Sequence, residues 1–356
     1  MSDGIIRDRL RCREDGTFTI VQFNDTQDGA RADRRTIALQ EAVLDEVRPD
    51  LALINGDVID GSPTSALEAK QALNNVVLPM EDRSIPWALT FGNHDEDSSA
   101  VTGMDEAAYV DFVRQYRHNL TTHGATGITG TGNQVLTVRS RDGERDAFAV
   151  WLLDSGRYAP EQIAGQDFEG SPDWDWLRPD QVQWYLNTSA ALEQASGGPV
   201  PGLAFQHIAL WEHRFAWFGS VDGRTEADHA RAARKHSIVG ERHEEESPGP
   251  FNSGMFAAML QRGDVKGLFV GHDHLNSYVA DYYGIQLGYS PGTGFGAYGF
   301  SGEEKHRLRG ARIFRLDENV DGGYAGTELR LAADYGIDLS PTQQPGEPAP
   351  FPDGVR

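Results

Sequence analysis

Short apolar runs recur along the chain, separated by stretches with helical spacing. The run Thr17-Phe18-Thr19-Ile20-Val21-Gln22-Phe23 reads as a strand and ends in the polar cluster Asn24-Asp25-Thr26-Gln27-Asp28-Gly29. Ile37, Leu39, Val43, Leu44 and Val47 then fall at helical spacing, and Pro49 stops the helix. The next run, Leu51-Ala52-Leu53-Ile54, ends in Asn55-Gly56-Asp57. The rhythm repeats: a helical stretch over 65–78, then the strand Trp87-Ala88-Leu89-Thr90-Phe91 ending in Gly92-Asn93-His94-Asp95. A strand over 147–153 ends in Asp154-Ser155-Gly156, and a helix covers 179–195. A strand over 201–205 ends at Gln206-His207. A helix over 252–262 precedes Gly267-Leu268-Phe269-Val270 and the cluster Gly271-His272-Asp273-His274. Further strands are expected at 277–281, 284–289, 311–316 and 327–332. Strands alternating with helices predict an α/β fold. The charged start, 1–14, reads as a flexible N-terminus, 15–337 as the folded domain, and the Pro-rich stretch 338–356 as a flexible tail.

Composition narrows the function. With 39% hydrophobic residues the 356-residue chain has enough apolar side chain for a sizeable core. A net charge of −22 argues against nucleic acid or an anionic membrane as partner, since both need a basic surface. The single cysteine, Cys12, excludes an intrachain disulfide and a zinc–thiolate site. No run approaches the ~18 apolar residues of a membrane span. The start shows no basic segment followed by an apolar one, so the expectation is a soluble cytoplasmic protein.

The chemistry lies in the polar clusters. Five strand ends carry His, Asp or Asn, and the C-terminal ends of strands are where open α/β sheets place ligands. A single such cluster is an ordinary turn; five together, all with metal-ligating side chains, point to one site. A two-metal centre needs a bridging carboxylate and further His, Asp or Asn ligands arriving from different strands. Asp25, Asp57, Asn93, His207, His272 and His274 supply that set.

The ordered series Asp25-x-Gln27, Gly56-Asp57-x-x-Asp60, Gly92-Asn93-His94-Asp95, Gln206-His207 and Gly271-His272-Asp273-His274 resembles the five motifs of the calcineurin-like metallophosphoesterases. Flanking phrases, among them Leu153-Asp154-Ser155-Gly156 and Gly294-Phe295-Gly296, resemble the branch related to purple acid phosphatases. The likeness covers about residues 16–317. It implies two mixed β-sheets packed as a sandwich and flanked by helices. It also implies two divalent metal ions (Mn, Fe, Zn or Mg). Asp57 would bridge both ions, Asp25 and His274 would hold the first, and Asn93, His207 and His272 the second. His94 would sit beside the substrate with Asp95 orienting its ring. The implied reaction is hydrolysis of a small-molecule or protein phosphate ester by attack of a metal-bound hydroxide. The likeness favours monoesters; cyclic-nucleotide or other diesters, and a non-catalytic binding role on the same fold, remain alternatives. Two divalent ions add about four positive charges locally, which offsets the acidic chain.

Two departures from the family pattern matter. Gln27 stands where the first motif ordinarily has His, and a neutral amide oxygen is a weaker ligand than imidazole; Asp28 is the adjacent substitute if the loop bends. Purple acid phosphatases bind ferric iron with a tyrosine three residues after the bridging Asp, where this chain has Asp60. Asp154 has two readings, a hydrogen bond to a ligand histidine or a turn carboxylate. The Pro291–Gly296 run has two as well, a phosphate-binding loop or a tight turn.

Overall fold

A computed structural model of the chain describes residues 4–168 and 174–356. Its strands are β1 (Ile5–Arg11), β2 (Thr17–Phe23), β3 (Leu51–Asn55), β4 (Trp87–Thr90), β5 (Gln134–Arg139), β6 (Asp146–Leu152), β7 (Gln162–Ile163), β8 (Gln166–Asp167), β9 (Gly202–Phe205), β10 (Val265–Val270), β11 (Val279–Tyr282), β12 (Ile285–Tyr289), β13 (Gly310–Asp317) and β14 (Tyr324–Leu331). One sheet has the order β1-β5-β6-β9-β10-β12-β11, the other β14-β13-β2-β3-β4; β7 and β8 form a small hairpin. Both large sheets are mixed. In the second, β2, β3 and β4 run parallel while β13 pairs antiparallel with β2. In the first, β6, β9, β10 and β12 run parallel.

The near-continuous apolar runs follow from burial on both faces of each sheet. In β2, Phe18 and Ile20 enter the core between the sheets, while Val21 and Phe23 face the core under the helices. In β3, Leu51 and Leu53 alternate with Ala52 and Ile54 in the same way. The helices α1 (Arg34–Val47) and α2 (Ala66–Asp82) cover the second sheet, and the helices Pro179–Ser196 and Met255–Arg262 cover the first. The architecture is thus the expected sandwich of two mixed sheets flanked by helices. No helix of the described residues is long and apolar enough to cross a membrane.

Both expected flexible ends need correction. Within the 1–14 stretch, Ile5–Arg11 is a strand pairing parallel with β5, and Leu10 and Cys12 are buried between the sheets. Within 338–356 the chain is a packed strap. The buried Arg35 guanidinium donates to the carbonyls of Asp338, Ser340 and Thr342 and grips Asp33 beside it. Gly346 N donates to Ala32 O at 2.7 Å, and the Phe351 ring meets Phe112 edge-on at 6.0 Å. A Pro-rich segment with few N–H groups to satisfy suits such a strap, because its carbonyls find donors here.

Candidate metal centre

The loops after β2, β3 and β4 of one sheet and after β9 and β10 of the other converge where the C-terminal ends of the parallel strands meet. They bring Asp25, Gln27, Asp57, His207, His272 and His274 together, with Asn93 buried on the loop whose next residue, His94, donates its backbone N–H to Asp57. Ligand atoms of Asp57, His207 and His272 lie within 4.8 Å of one another, as do those of Asp25, Asp57 and His274, so Asp57 is common to both groups. His274 Nε2 is 3.2 Å from Asp25 Oδ1, and His207 Nε2 is 3.1 Å from Asp57 Oδ2. All six residues other than Gln27 are buried.

The backbone is bent sharply to achieve this. Asp25, Gln27, Asp57 and His272 all have left-handed φ, at 50°, 36°, 48° and 72°. Each such residue costs about 1–3 kcal/mol, and four of the ten non-glycine residues with positive φ among the described residues fall at this one cluster. The motif glycines have a steric reason. A Cβ on Gly56 would stand 2.4 Å from His207 Nδ1, and one on Gly92 2.3 Å from Asp57 Oδ1.

The donor chemistry fits a pair of cations. His207 Nδ1 engages Asn55 O at 2.9 Å and His274 Nδ1 engages Tyr298 O at 3.3 Å, which leaves each Nε2 for the cluster. His272 Nε2, His207 Nε2 and both amide atoms of Asn93 are buried without a hydrogen bond. Buried polar atoms left unpaired are costly, and convergent ones of this type answer a cation. Burial opposes charge on His207, yet the Asp57 and Asp25 carboxylates pull its imidazole up to about 10. Burial and the neighbouring His207 push His272 down to about 3, so it stays a neutral donor. Burial raises the Asp57 carboxyl, but His207 outweighs it and holds Asp57 below the usual range. Proton and cation compete for these same lone pairs.

His94 stands at the rim, its side chain 36% exposed, and its backbone N–H donates to Asp57 Oδ1 at 2.8 Å. The expected orienting role of Asp95 is corrected. Asp95 accepts from Val58 N, Ile59 N and Gly92 N, bracing the two loops that carry Asp57 and Asn93. The His94 ring instead meets Asp97 Oδ2 through Nδ1 at 2.6 Å. Burial and nearby Asp57 push the Asp95 carboxyl up to about 7.

Gln27 is at the cluster, its Nε2 donating to Asp57 Oδ2 at 3.2 Å. Asp28 belongs to neither group of ligand atoms, and its Oδ1 accepts from Asp33 N at 3.1 Å. Asp154 is a turn carboxylate, accepting from Thr131 N and Gly156 N. The glycine-rich run is a brace and not a phosphate cradle, since Thr293 N and Gly294 N donate to Asn24 O and Asp25 O. Sequence reasoning missed Asp97, Arg157, Tyr158 and Tyr298. The signal for the first was present, a carboxylate three residues after His94. Tyr298 stacks on the His274 ring at 4.0 Å, a contact no local pattern announces.

Comparison with known proteins places these observations. The family model described as calcineurin-like phosphoesterase matches residues 18–276. A protein of Arabidopsis thaliana named "Probable inactive purple acid phosphatase 29" is 30% identical, the match covering 88% of this chain and 80% of that one. "Probable inactive purple acid phosphatase 14" of the same plant is 27% identical, over 82% and 74%. "Phosphatase DCR2" of Saccharomyces cerevisiae is 26% identical over 76% of this chain and 46% of its own length. Among solved structures, a dimetal phosphatase from Danio rerio is 12% identical with a TM-score of 0.47, covering 88% of this chain and 99% of that one.

Proposed function

The chain belongs to the calcineurin-like phosphoesterase family, and on that premise we propose that it hydrolyses phosphate esters, monoesters in first place, with a binuclear metal centre. The observation that carries this reading is the sharing of Asp57 by two groups of ligand atoms, with His94 at the rim beside them. Asp57 would serve both ions, Asp25 and His274 with Gln27 the first, and Asn93, His207 and His272 the second. The ions, two of Mn, Fe, Zn or Mg, would supply positive charge for the phosphoryl oxygens and a more acidic water. The protein's own part is to hold and orient. Asp95 fixes the spacing between the Asp57 and Asn93 loops, and the Nδ1 edge of His94 is held by Asp97. The Nε2 edge is then turned toward the leaving oxygen. When the ring carries a proton on both nitrogens, Nε2–H gives its proton to that oxygen as the P–O bond breaks and the bond's electron pair stays on it, while the proton held by Asp97 remains on Nδ1. The preference for monoesters rests on relatives named as purple acid phosphatases.

A second reading is favoured by one specific observation. Gln27 turns an amide N–H toward Asp57 where the family has an imidazole, in keeping with two plant relatives that carry "inactive" in their names. On this reading the fold binds a partner or ligand without turnover. Purified protein, stripped of metal and reloaded with Mn, Zn, Fe, Ni or Mg, should be assayed on p-nitrophenyl phosphate and its bis-ester. Metal-restored turnover with the monoester ahead supports the first reading. A faster bis-ester moves the substrate class to diesters, and no turnover in folded, metal-loaded protein favours the second reading.

A further inference from the structure

We propose that Asp97, clamped by Arg157 and Tyr158, is the positioning residue that sets the direction and tautomer of the His94 ring. The catalytic consequence rests on the phosphoesterase reading above; the geometric claim does not. His94 Nδ1 lies 2.6 Å from Asp97 Oδ2. Asp97 Oδ1 in turn accepts from Arg157 Nη2 at 2.9 Å and from the Tyr158 hydroxyl at 3.1 Å. The remaining faces of the Arg157 fork are used on the same loop: Nη1 meets Glu96 Oε2 at 3.1 Å, and Nε donates to Asn93 O at 3.2 Å. One planar guanidinium therefore grips the loop on both sides of His94, the carbonyl before it and the carboxylates after it. A fixed fork of this kind orders several acceptors at once, which a lysine ammonium does not.

The clamp explains the Leu153-Asp154-Ser155-Gly156 phrase that precedes it. Asp154 closes the turn on Gly156 N, and Ser155 Oγ accepts from Ile208 N at 2.9 Å, one residue after His207. The turn thus touches the backbone beside His207 through Ser155 and the Asn93 carbonyl through Arg157. With Asp95 committed to three backbone N–H groups, Asp97 is the carboxylate on the His94 ring. A carboxylate on Nδ1 selects the Nδ1–H tautomer and turns Nε2 toward the site.

Asp97→Asn tests this, because Arg157 and Tyr158 keep donating to Oδ1 and so turn the new amide nitrogen toward His94. That nitrogen donates to Nδ1 and reverses the tautomer. Long-range proton–nitrogen NMR of the full-length protein, with His94→Gln to assign the signal, reads the ring directly. The expected result is Nδ1–H in the wild type and Nε2–H in Asp97→Asn. Arg157→Lys, which keeps the charge and loses the fork, should give a mixture of the two. In the metal-loaded enzyme the amide N–H that Asp97→Asn turns on Nδ1 bars a second ring proton. The variant should therefore slow phenyl phosphate, whose leaving oxygen takes its proton from the doubly protonated ring, by about 100-fold, and 2,4-dinitrophenyl phosphate, whose leaving group needs no proton, by less than about 3-fold. An unchanged His94 tautomer in both variants overturns the proposal, as does an equal loss on both esters. Wild-type protein inactive with every metal would defeat the phosphoesterase reading alone, and the NMR result would still decide the role of Asp97.

Discussion

The two halves of the centre meet at Asp57 and are built differently. The second half is Asn93, His207 and His272, each buried; the Asn93 amide and His272 Nε2 are neutral donors that make no hydrogen bond, while His207 Nε2 lies 3.1 Å from Asp57 Oδ2. The first half pairs the anionic Asp25 with His274, and its third member is Gln27, partly exposed and bonded to Asp57 through an N–H. The supports differ too. The second half is held by the Asp95 brace and the Arg157 clamp, and the first by the glycine-rich run packed on Asn24 and Asp25. Neutral lone pairs with no other partner gain most from a cation, whereas an amide already satisfied by a carboxylate gains least. The first ion should therefore be the labile one.

The largest effect is expected where the halves join. Asp57→Asn should lower turnover by about 10³-fold or more and strip both ions from dialysed protein, measured as metal per chain. One ion retained at full occupancy would show that the second half does not need the shared carboxylate. Next, His272→Ala and His274→Ala should each remove one ion, and their metal titrations should differ. His272→Ala should leave only weak binding, while His274→Ala should leave the tight site intact. Identical titrations would erase the distinction between the halves.

How much of this was legible in the sequence depends on the distance between partners. The residues that cluster at the strand ends were readable because each closes an apolar run, and a buried strand end marks itself. β1 was not, because Arg7, Asp8 and Arg9 are exposed and its pairing partner lies at the other end of the register, with Ile5 opposite Val135. The strap at 338–356 was missed because its donors come from Arg35, some three hundred residues earlier. The choice between Asp95 and Asp97 turned on the loop conformation, since neighbours two apart take opposite sides of a tight bend. Gln27 was legible as an anomaly, but not the N–H that it turns toward Asp57.

Smaller effects probe the first half alone. A Cβ on Gly294 would stand 1.9 Å from Thr26 O, so Gly294→Ala must displace the loop that braces Asp25. Overpacking of this kind should cost about 3 kcal/mol of stability, seen as a lower thermal midpoint. It should weaken the first ion while leaving the second, and equal weakening of both would mean that the brace serves the whole centre. Gln27→His should act in the opposite sense, tightening the first ion by about 10-fold, or roughly 1.4 kcal/mol, because an imidazole supplies a lone pair where the amide spends an N–H. An unchanged titration would remove Gln27 from the ligand set.

The smallest expected signal is no signal. Iron-loaded protein should show no visible phenolate-to-iron band, because Asp60 stands where a tyrosine would be needed and its Oδ1 is occupied by Ser62 N at 2.9 Å and the Ser62 hydroxyl. The aromatic ring beside the first half is that of Tyr298. It lies flat on His274, and its hydroxyl donates to Glu244 at 2.9 Å while accepting from the His274 backbone N–H at 3.3 Å. Burial, with Glu244 beside it, pushes that phenol well above its ordinary value, so the phenolate that a ferric ion would need is disfavoured. A band in the iron-loaded wild type that vanished in Tyr298→Phe would mean that the ring swings onto the first ion. That result would reverse the ranking, making the first half the stronger one with Tyr298 in place of the missing imidazole.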